Sequence, residues 1–149
     1  MIRQATTQDL NQIVALIHPF IDDFAVDDEG REKFNLQMIL QLIEHPDIHY
    51  FVYLQANEIV GVMAYREPAH IVHFFVKEIQ QGQGIGRALW NHMQAVMDTV
   101  DTQIITVNSS CFAEKIYRKM GFESVSDVIE AHGLRFIQMQ KNQMHEHKV

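Results

Sequence analysis

A glycine-rich segment between an apolar run and an amphipathic pattern constrains the fold of this chain more than any other stretch. Residues 81–87 read Gln-Gly-Gln-Gly-Ile-Gly-Arg, with glycine at every second position. The apolar run Ile71–Val76 predicts a strand before the segment, and the helical spacing of apolar residues in Ile85–Val100 predicts a helix after it. A strand, a glycine loop and a helix N-terminus together present unpaired backbone N–H groups, so a phosphate-binding loop is predicted.

The spacing of these glycines excludes two common nucleotide-binding motifs. A dinucleotide fingerprint would need its third glycine where the chain has Arg87 or Leu89. A Walker loop would need a lysine directly after the last glycine, and Arg87 stands there instead. The pattern that remains is Gln81-x-x-Gly84-x-Gly86.

A second motif follows a strand predicted over Gln103–Val107. Residues 107–122 read Val-Asn-Ser-Ser-Cys-Phe-Ala-Glu-Lys-Ile-Tyr-Arg-Lys-Met-Gly-Phe, and they predict a helix over Cys111–Met120 that ends at Gly121. This stretch resembles the signature Asn…Ala-x-x-x-Tyr-x-(Lys/Arg)-x-Gly-Phe of the GCN5-related N-acetyltransferases (GNAT). The glycine loop is similar to that family's other signature, (Gln/Arg)-x-x-Gly-x-(Gly/Ala). With both motifs in the family's order and separation, the chain resembles a bacterial GNAT member of unknown acceptor.

The resemblance extends over nearly the whole chain and implies an α/β fold. We expect a GNAT fold, with a central mixed, mostly antiparallel twisted sheet of about seven strands flanked by four helices. Outside the two motifs, the residue pattern predicts a strand in Met1–Thr6, a helix capped by Thr6–Asp9 and a helix over Arg31–Glu44. It also predicts strands over Tyr50–Leu54 and Ile59–Tyr65 around a turn at Ala56-Asn57, and a last strand pair over Glu123–Glu130 and Leu134–Gln140 around a turn at His132-Gly133. A single domain over residues 1–141 and a polar tail over 142–149 are expected.

Composition and charge narrow the classes of partner. The chain has 149 residues, of which 47% are hydrophobic, enough for the core of one domain. A formal net charge of −7 argues against a nucleic-acid partner. No long apolar run or signal-peptide pattern is present, so we expect no membrane partner and a cytoplasmic location. The single cysteine, Cys111, sits at the predicted helix start; its role and homodimer formation are left open.

The resemblance implies that acetyl-coenzyme A is the co-substrate and that no metal takes part. The loop amides of Gly82–Arg87 would bind its pyrophosphate, and the backbone of Phe75 and Val76 would contact the pantetheine arm and the acetyl carbonyl. Asn108 would supply a polar contact from the fifth strand, and Ala113 would leave room beside the last helix. The implied cofactor-binding residues are Phe75, Val76, Gln81, Gly82, Gln83, Gly84, Ile85, Gly86, Arg87, Asn108, Ala113 and Tyr117.

The catalytic residues are less well specified than the cofactor residues. Tyr117 matches the tyrosine that this family places near the sulfur as general acid. The strand before the glycine loop carries no carboxylate, so His70 is the predicted general base, because a histidine titrates near neutrality. His73, Glu67 and water remain alternatives for that role.

An acidic segment between the first two predicted helices bears on the acceptor. Asp22, Asp23, Asp27, Asp28 and Glu29 lie where family members generally build one wall of the acceptor site. The segment either attracts a cationic amine or is an ordinary solvated loop.

The sequence therefore predicts a cytoplasmic acetyl-coenzyme A-dependent N-acetyltransferase. It would move an acetyl group to a primary amine of a small cationic molecule by direct attack in a ternary complex. A protein or peptide N-acetyltransferase and a non-catalytic acyl-coenzyme A-binding regulatory module are the alternatives.

Overall fold

A seven-stranded mixed sheet forms the centre of the protein, in a computed structural model that describes residues 1–97 and 104–143. The strands are β1 (Ile2–Gln4), β2 (Ile48–Gln55), β3 (Glu58–Arg66), β4 (His70–Val76), β5 (Ile104–Ser109), β6 (Glu123–Ala131) and β7 (Leu134–Asn142). Their order across the sheet is β1-β2-β3-β4-β5-β7-β6. The β4–β5 pair is parallel and the other pairs are antiparallel, which confirms the predicted fold class.

Helices cover both faces of this sheet. They are α1 (Leu10–Ile17), α2 (Ile21–Phe24), α3 (Asp28–Arg31), α4 (Leu36–Glu44), α5 (Ile85–Met97) and α6 (Glu114–Lys119). The single turns α2 and α3 were not predicted as helices, and the other four correspond to the four expected ones. Within the described ranges, no helix is long and apolar enough to cross a membrane.

The single helix predicted over Arg31–Glu44 is wrong. The helix α3 ends at Arg31, a 3-10 turn follows over Glu32–Phe34, and α4 begins at Leu36. Asn35 separates them because its backbone is extended and its side chain accepts a hydrogen bond from the Met38 N–H at 2.8 Å. This N-cap starts a new helix although the apolar spacing continues across it.

Several other boundaries differ from those predicted. Asn108 and Ser109 extend β5 instead of forming a turn, because they pair with Gln138 and Ile137 of β7. The last helix begins three residues later than predicted, which leaves Cys111 in an exposed turn. The strand β7 continues past the expected domain boundary at residue 141. The predicted ends at residues 98–100 and 103, and residues 144–149 of the tail, lie outside the described residues.

The sheet separates two apolar cores. On one face, α5 and α6 cover buried residues that include Met63, Met93 and Met139. On the other face, α1 and α4 cover a second set that includes Ile13 and Val62. This division follows from the alternation of side chains along the central strands.

The turn between β6 and β7 packs against the α2–α3 segment. Its residue Gly133 accepts a hydrogen bond from the Val26 N–H at 2.8 Å, and Ala25 forms a bridge with Leu134. Gly30 of α3 is buried against the same turn. The two glycines thus allow a close backbone approach that fixes α2 to β7.

We expect the substitution Gly30→Ala to lower the free energy of unfolding by about 2 kcal/mol, through overpacking. A Cβ there would overlap the carbonyl oxygen of Gly133 and lie 2.7 Å from its carbonyl carbon. In an exposed helix the same change would be stabilising. A loss of stability would therefore indicate the close backbone contact with Gly133. Chemical denaturation measures the effect, with exposed Glu29→Ala in the same turn as the control. Equal stability of the two variants would contradict the close approach.

Candidate active site

A cleft opens where the two parallel strands separate. The β4–β5 ladder pairs only His70 with Thr106 and Ile71 with Val107. Beyond these pairs the strands diverge, and their ends line a cavity of about 400 Å³. A register shift in the β3–β4 ladder leaves Val72 as a bulge at the point of divergence. Bulges of this kind redirect a strand and are common beside functional sites.

Backbone polar groups of β4 face this opening. The Lys77 N–H donates to the Val60 carbonyl at 2.8 Å, which makes that position a hydrogen-bonded pair with β3. The alternation of an antiparallel ladder then turns the backbone groups of Val76 and Phe74 away from β3 and toward β5. It also places the backbone of Phe75 in the β3 ladder, so Phe74 rather than Phe75 presents its backbone groups to the cleft.

The glycine loop forms one end of the cleft. Gly82 and Gly84 have φ values of +83° and +85°, which favour glycine. Within residues 1–97 and 104–143, the N–H groups of residues 84–87 make no hydrogen bond, and the first bonded N–H is that of Ala88, to Gly84 O at 3.0 Å. Gln81 fastens the loop to the strand, since its Nε2 donates to the Val76 carbonyl at 3.0 Å.

The arrangement of these free N–H groups, called the anion cradle below, suits an anionic ligand. They lie at the N-terminus of α5, a 13-residue helix, where the macrodipole favours negative charge. The exposed side chain of Arg87 adds a positive charge in the first turn. No atom lies within 4 Å of a Cβ placed on Gly84, so the space in front of the cradle is open.

The opposite wall comes from the end of β5 and from α6. Asn108, Ala113 and Tyr117 line it. The Tyr117 ring packs against Phe74 and Phe122, with centroids 6.5 and 5.3 Å away. Its hydroxyl has no hydrogen-bond partner in the described part of the chain, and burial raises the pKa of Tyr117 above its usual range. The phenol is therefore protonated near neutral pH and can donate a proton.

Nine of the twelve predicted cofactor residues line one cavity, and three do not. Those in the lining are Phe75, Val76, Gln81, Gly82, Ile85, Gly86, Asn108, Ala113 and Tyr117. Gln83, Gly84 and Arg87 lie in the adjoining loop and first helical turn.

The aspartates of the acidic segment make different contacts. Asp22 and Asp28 pair with Arg31 at 3.1 and 3.4 Å, and Asp27 caps α3 by accepting a hydrogen bond from the Gly30 N–H at 3.0 Å. Asp23 lines the cleft and has no ion-pair or hydrogen-bond partner among the described residues. Burial, and secondarily the charge of the neighbouring aspartate, raises the pKa of Asp23.

Phe20, Phe24 and Gln80 are among the cleft residues that sequence reasoning did not assign to the site. Phe20 and Phe24 flank Asp23, and their rings lie 5.2 and 6.1 Å from that of Phe75. Gln80 also lines the cleft, and its Oε1 is buried without a partner in the described chain. The four-residue spacing of the two phenylalanines is a signal for one face of a helix, but it does not say what that face lines.

None of the three side chains considered as general base lines the cleft. His70 is hydrogen-bonded through Nδ1 to Thr106 Oγ1 at 2.8 Å, and burial lowers its pKa. His73 lies in the core, with Nδ1 2.9 Å from the Tyr50 hydroxyl, and burial lowers its pKa to about 4. The Glu67 carboxylate contacts a histidine of β2 at 2.7 Å. Within the described ranges, no group of three or more His, Cys, Asp or Glu side chains is placed to hold a metal ion.

A cleft with unpaired strand backbone, an anion cradle and a protonated tyrosine on its wall suits an enzyme that acts on a phosphate-bearing ligand. A family model described as "Acetyltransferase (GNAT) domain" matches residues 22–143. The chain therefore belongs to the GNAT acetyltransferases and is an acetyl-coenzyme A-dependent N-acetyltransferase. A comparison with curated protein sequences found no match.

Solved structures confirm the fold. A GCN5-related N-acetyltransferase from Rhodopseudomonas palustris has a TM-score of 0.77 and 18% identity, over 95% of this chain and 94% of that one. The PaiA N-acetyltransferase from Thermoplasma acidophilum, in complex with coenzyme A, has a TM-score of 0.74 and 15% sequence identity, over 95% of this chain and 98% of that one. The ribosomal-protein-alanine N-acetyltransferase from Brucella melitensis has a TM-score of 0.72 and 20% sequence identity, over 95% of this chain and 99% of that one.

Burial of His73 makes the free energy of unfolding depend on pH, and its lowered pKa fixes the direction of that dependence. Its pKa of about 4 in the folded protein is below the ordinary value of 6.5, so the unfolded chain binds the proton more readily. Stability should thus fall as the pH drops below 6.5, with a contribution of about 2 kcal/mol between pH 7 and pH 5. We expect His73→Gln to lose this part of the pH dependence in denaturant titrations. The exposed His18→Gln control should retain it, and equal slopes for both variants would contradict the assignment.

Proposed function

We propose that this cleft transfers an acetyl group from acetyl-coenzyme A to a primary amine of a small cationic molecule, by direct attack in a ternary complex. The observation that carries the proposal is the arrangement of one cleft. It has the anion cradle at the α5 N-terminus, Tyr117 on one wall and the unpartnered carboxylate of Asp23 on the other.

The residues present fit such a donor. The N–H groups of residues 84–87 would bind the pyrophosphate, with Arg87 adding charge attraction. The orphaned Gln80 Oε1 would accept a hydrogen bond from an amide N–H of the pantetheine arm, which would remove the cost of leaving it unpaired. The outward backbone groups of Phe74 and the N–H of Val76, whose carbonyl already accepts from Gln81, would pair with the same arm as a strand partner does. Asn108 and Ala113 would flank it.

The chemistry needs a neutral amine and a proton for the leaving sulfur. When bound, acetyl-coenzyme A supplies an acetyl thioester whose carbon accepts the amine nitrogen. This attack forms the carbon–nitrogen bond. Tyr117 would then donate its phenolic proton to sulfur as the carbon–sulfur bond breaks, and the proton lost by the attacking nitrogen would restore the phenol. A cationic acceptor arrives as an ammonium ion and must lose one proton before its nitrogen can attack. We assign removal of this proton to His70 acting through water, because the lowered pKa of His70 keeps its imidazole neutral.

The contact between the α2–α3 segment and the β6–β7 turn favours a small acceptor over a peptide. Ala25 pairs with Leu134, and Val26 donates to Gly133, so the wall that carries Asp23 is fixed to β7. A peptide strand laid between these elements would have to displace that bridge. The unpartnered, protonated Tyr117 hydroxyl in turn favours catalysis over a purely regulatory binding module.

A matched pair of substitutions at Gly84 tests the cradle. Asparagine and aspartate are similar in size and both tolerate a positive φ better than other residues, but only aspartate carries a charge. We expect coenzyme A to raise the melting temperature of the wild type and, to a smaller extent, of Gly84→Asn. Gly84→Asp should show no shift. If a folded Gly84→Asp variant gives the wild-type shift, the pyrophosphate does not bind at this loop.

Removal of the Tyr117 hydroxyl tests whether this residue is the general acid. Tyr117→Phe keeps the ring packing, so we expect unchanged coenzyme A affinity and a kcat about 100-fold lower, in steady-state and single-turnover assays. Tyr65→Phe removes a hydroxyl outside the cleft and serves as the control. A wild-type single-turnover rate for Tyr117→Phe would leave the tyrosine as a core residue only.

A further inference from the structure

The part of the cavity lining that carries Asp23 combines a carboxylate with aromatic rings and, among the described residues, holds no cationic side chain. Lys77 shares a neighbouring pocket with Asp23, but its ammonium group is paired with Glu58. From this combination we infer that the acceptor is a monoamine with an apolar aryl or alkyl body and no carboxylate beside the amine. Its ammonium group binds the Asp23 carboxylate, and its body packs on Phe20, Phe24 and Phe75. The inference rests on the proposed function and names the acceptor class of the same site.

The first argument is the charge of the lining. Asp23 is the single charged residue among those that line the cavity, and it has no partner within residues 1–97 and 104–143. The nearby cation Arg31 is engaged by Asp22 and Asp28, whose side chains are 76% and 94% exposed. A half-buried carboxylate without a counter-ion is destabilising, and a ligand ammonium would offset that cost.

The second argument is the aromatic surface beside this carboxylate. The rings of Phe20 and Phe75 lie 5.2 Å apart at 30°, and those of Phe24 and Phe75 lie 6.1 Å apart at 82°. Phe75 is 8% exposed and packs in the core, whereas Phe20 and Phe24 are half-buried and line the cavity. Their free ring surface suits an apolar body and attracts an adjacent ammonium through cation–π interaction.

The same geometry disfavours two other classes of amine. An α-amino acid would bring its carboxylate close to Asp23, and the lining formed by the described residues offers no lysine or arginine to neutralise it. A polyamine would place a second ammonium among apolar side chains, where the described lining has no second carboxylate. A singly charged amine with an apolar body avoids both costs.

Three amines and two matched variants test the inference. Phenethylamine, phenylalanine and putrescine share a primary amine and differ in the carboxylate or in the second charge. Transfer is followed as thiol release from acetyl-coenzyme A, and binding of phenethylamine is measured by calorimetry with coenzyme A present. We expect kcat/KM for phenethylamine to exceed that for either of the other two by about tenfold or more.

The variants separate the cleft carboxylate from its neighbour. We expect Asp23→Asn to weaken phenethylamine binding and to raise its KM about tenfold, with the KM for acetyl-coenzyme A unchanged. The control Asp22→Asn, which alters an exposed residue paired with Arg31, should change these values less than about twofold.

Each outcome bears on one of the two claims. Equal effects of Asp23→Asn and Asp22→Asn, or a preference for phenylalanine or putrescine, would overturn the acceptor inference while acetyl transfer stands. Asp23-dependent binding of phenethylamine without thiol release from any amine would support the subsite and overturn the transferase proposal. Absence of both binding and transfer for phenethylamine would overturn the inference as well.

Discussion

The incomplete pairing of the parallel strands β4 and β5 is the constraint on which the site depends. After the pairs His70–Thr106 and Ile71–Val107, each strand is held only by its outer neighbour, β3 or β7. Backbone groups that would have satisfied one another are left to face a cleft, and such groups require partners. The segments that follow the two strands, the glycine loop with α5 and the turn with α6, supply the end and one wall of that cleft.

Features with a local cause could be predicted from the sequence. The glycine loop, the turn at Ala56-Asn57 and the turn at His132-Gly133 are specified by a few adjacent residues, and the structure has all three in place. The helix over Arg31–Glu44 was predicted wrongly because apolar spacing reports which face is buried and not whether the backbone is continuous. The capping bond of Asn35 decided that point.

Sequence reasoning reached the proposed donor residues and the acidic segment, but it could not tell which aspartate lines the cleft or that phenylalanines lie beside it. The donor residues belong to two compact motifs, each within one strand–loop–helix unit. Asp23 and its flanking phenylalanines come from another part of the chain, and their position depends on the contact between Gly30 and Gly133, which no local pattern encodes. Likewise, strand alternation could not show that His73 faces a closed core and not the cleft.

Two parts of the cleft lining have opposite electrostatic character. The free N–H groups at the α5 N-terminus, with Arg87 beside them, give a positive potential that favours phosphate, whereas the Asp23 carboxylate disfavours an anion and favours a cation. The formal charge of −7 gives no long-range attraction for an anionic donor, so binding of the donor must depend on short-range contacts. In the proposed complex, the local placement of a few charges and dipoles, rather than the overall charge of the protein, would therefore decide which part of the cleft each substrate occupies.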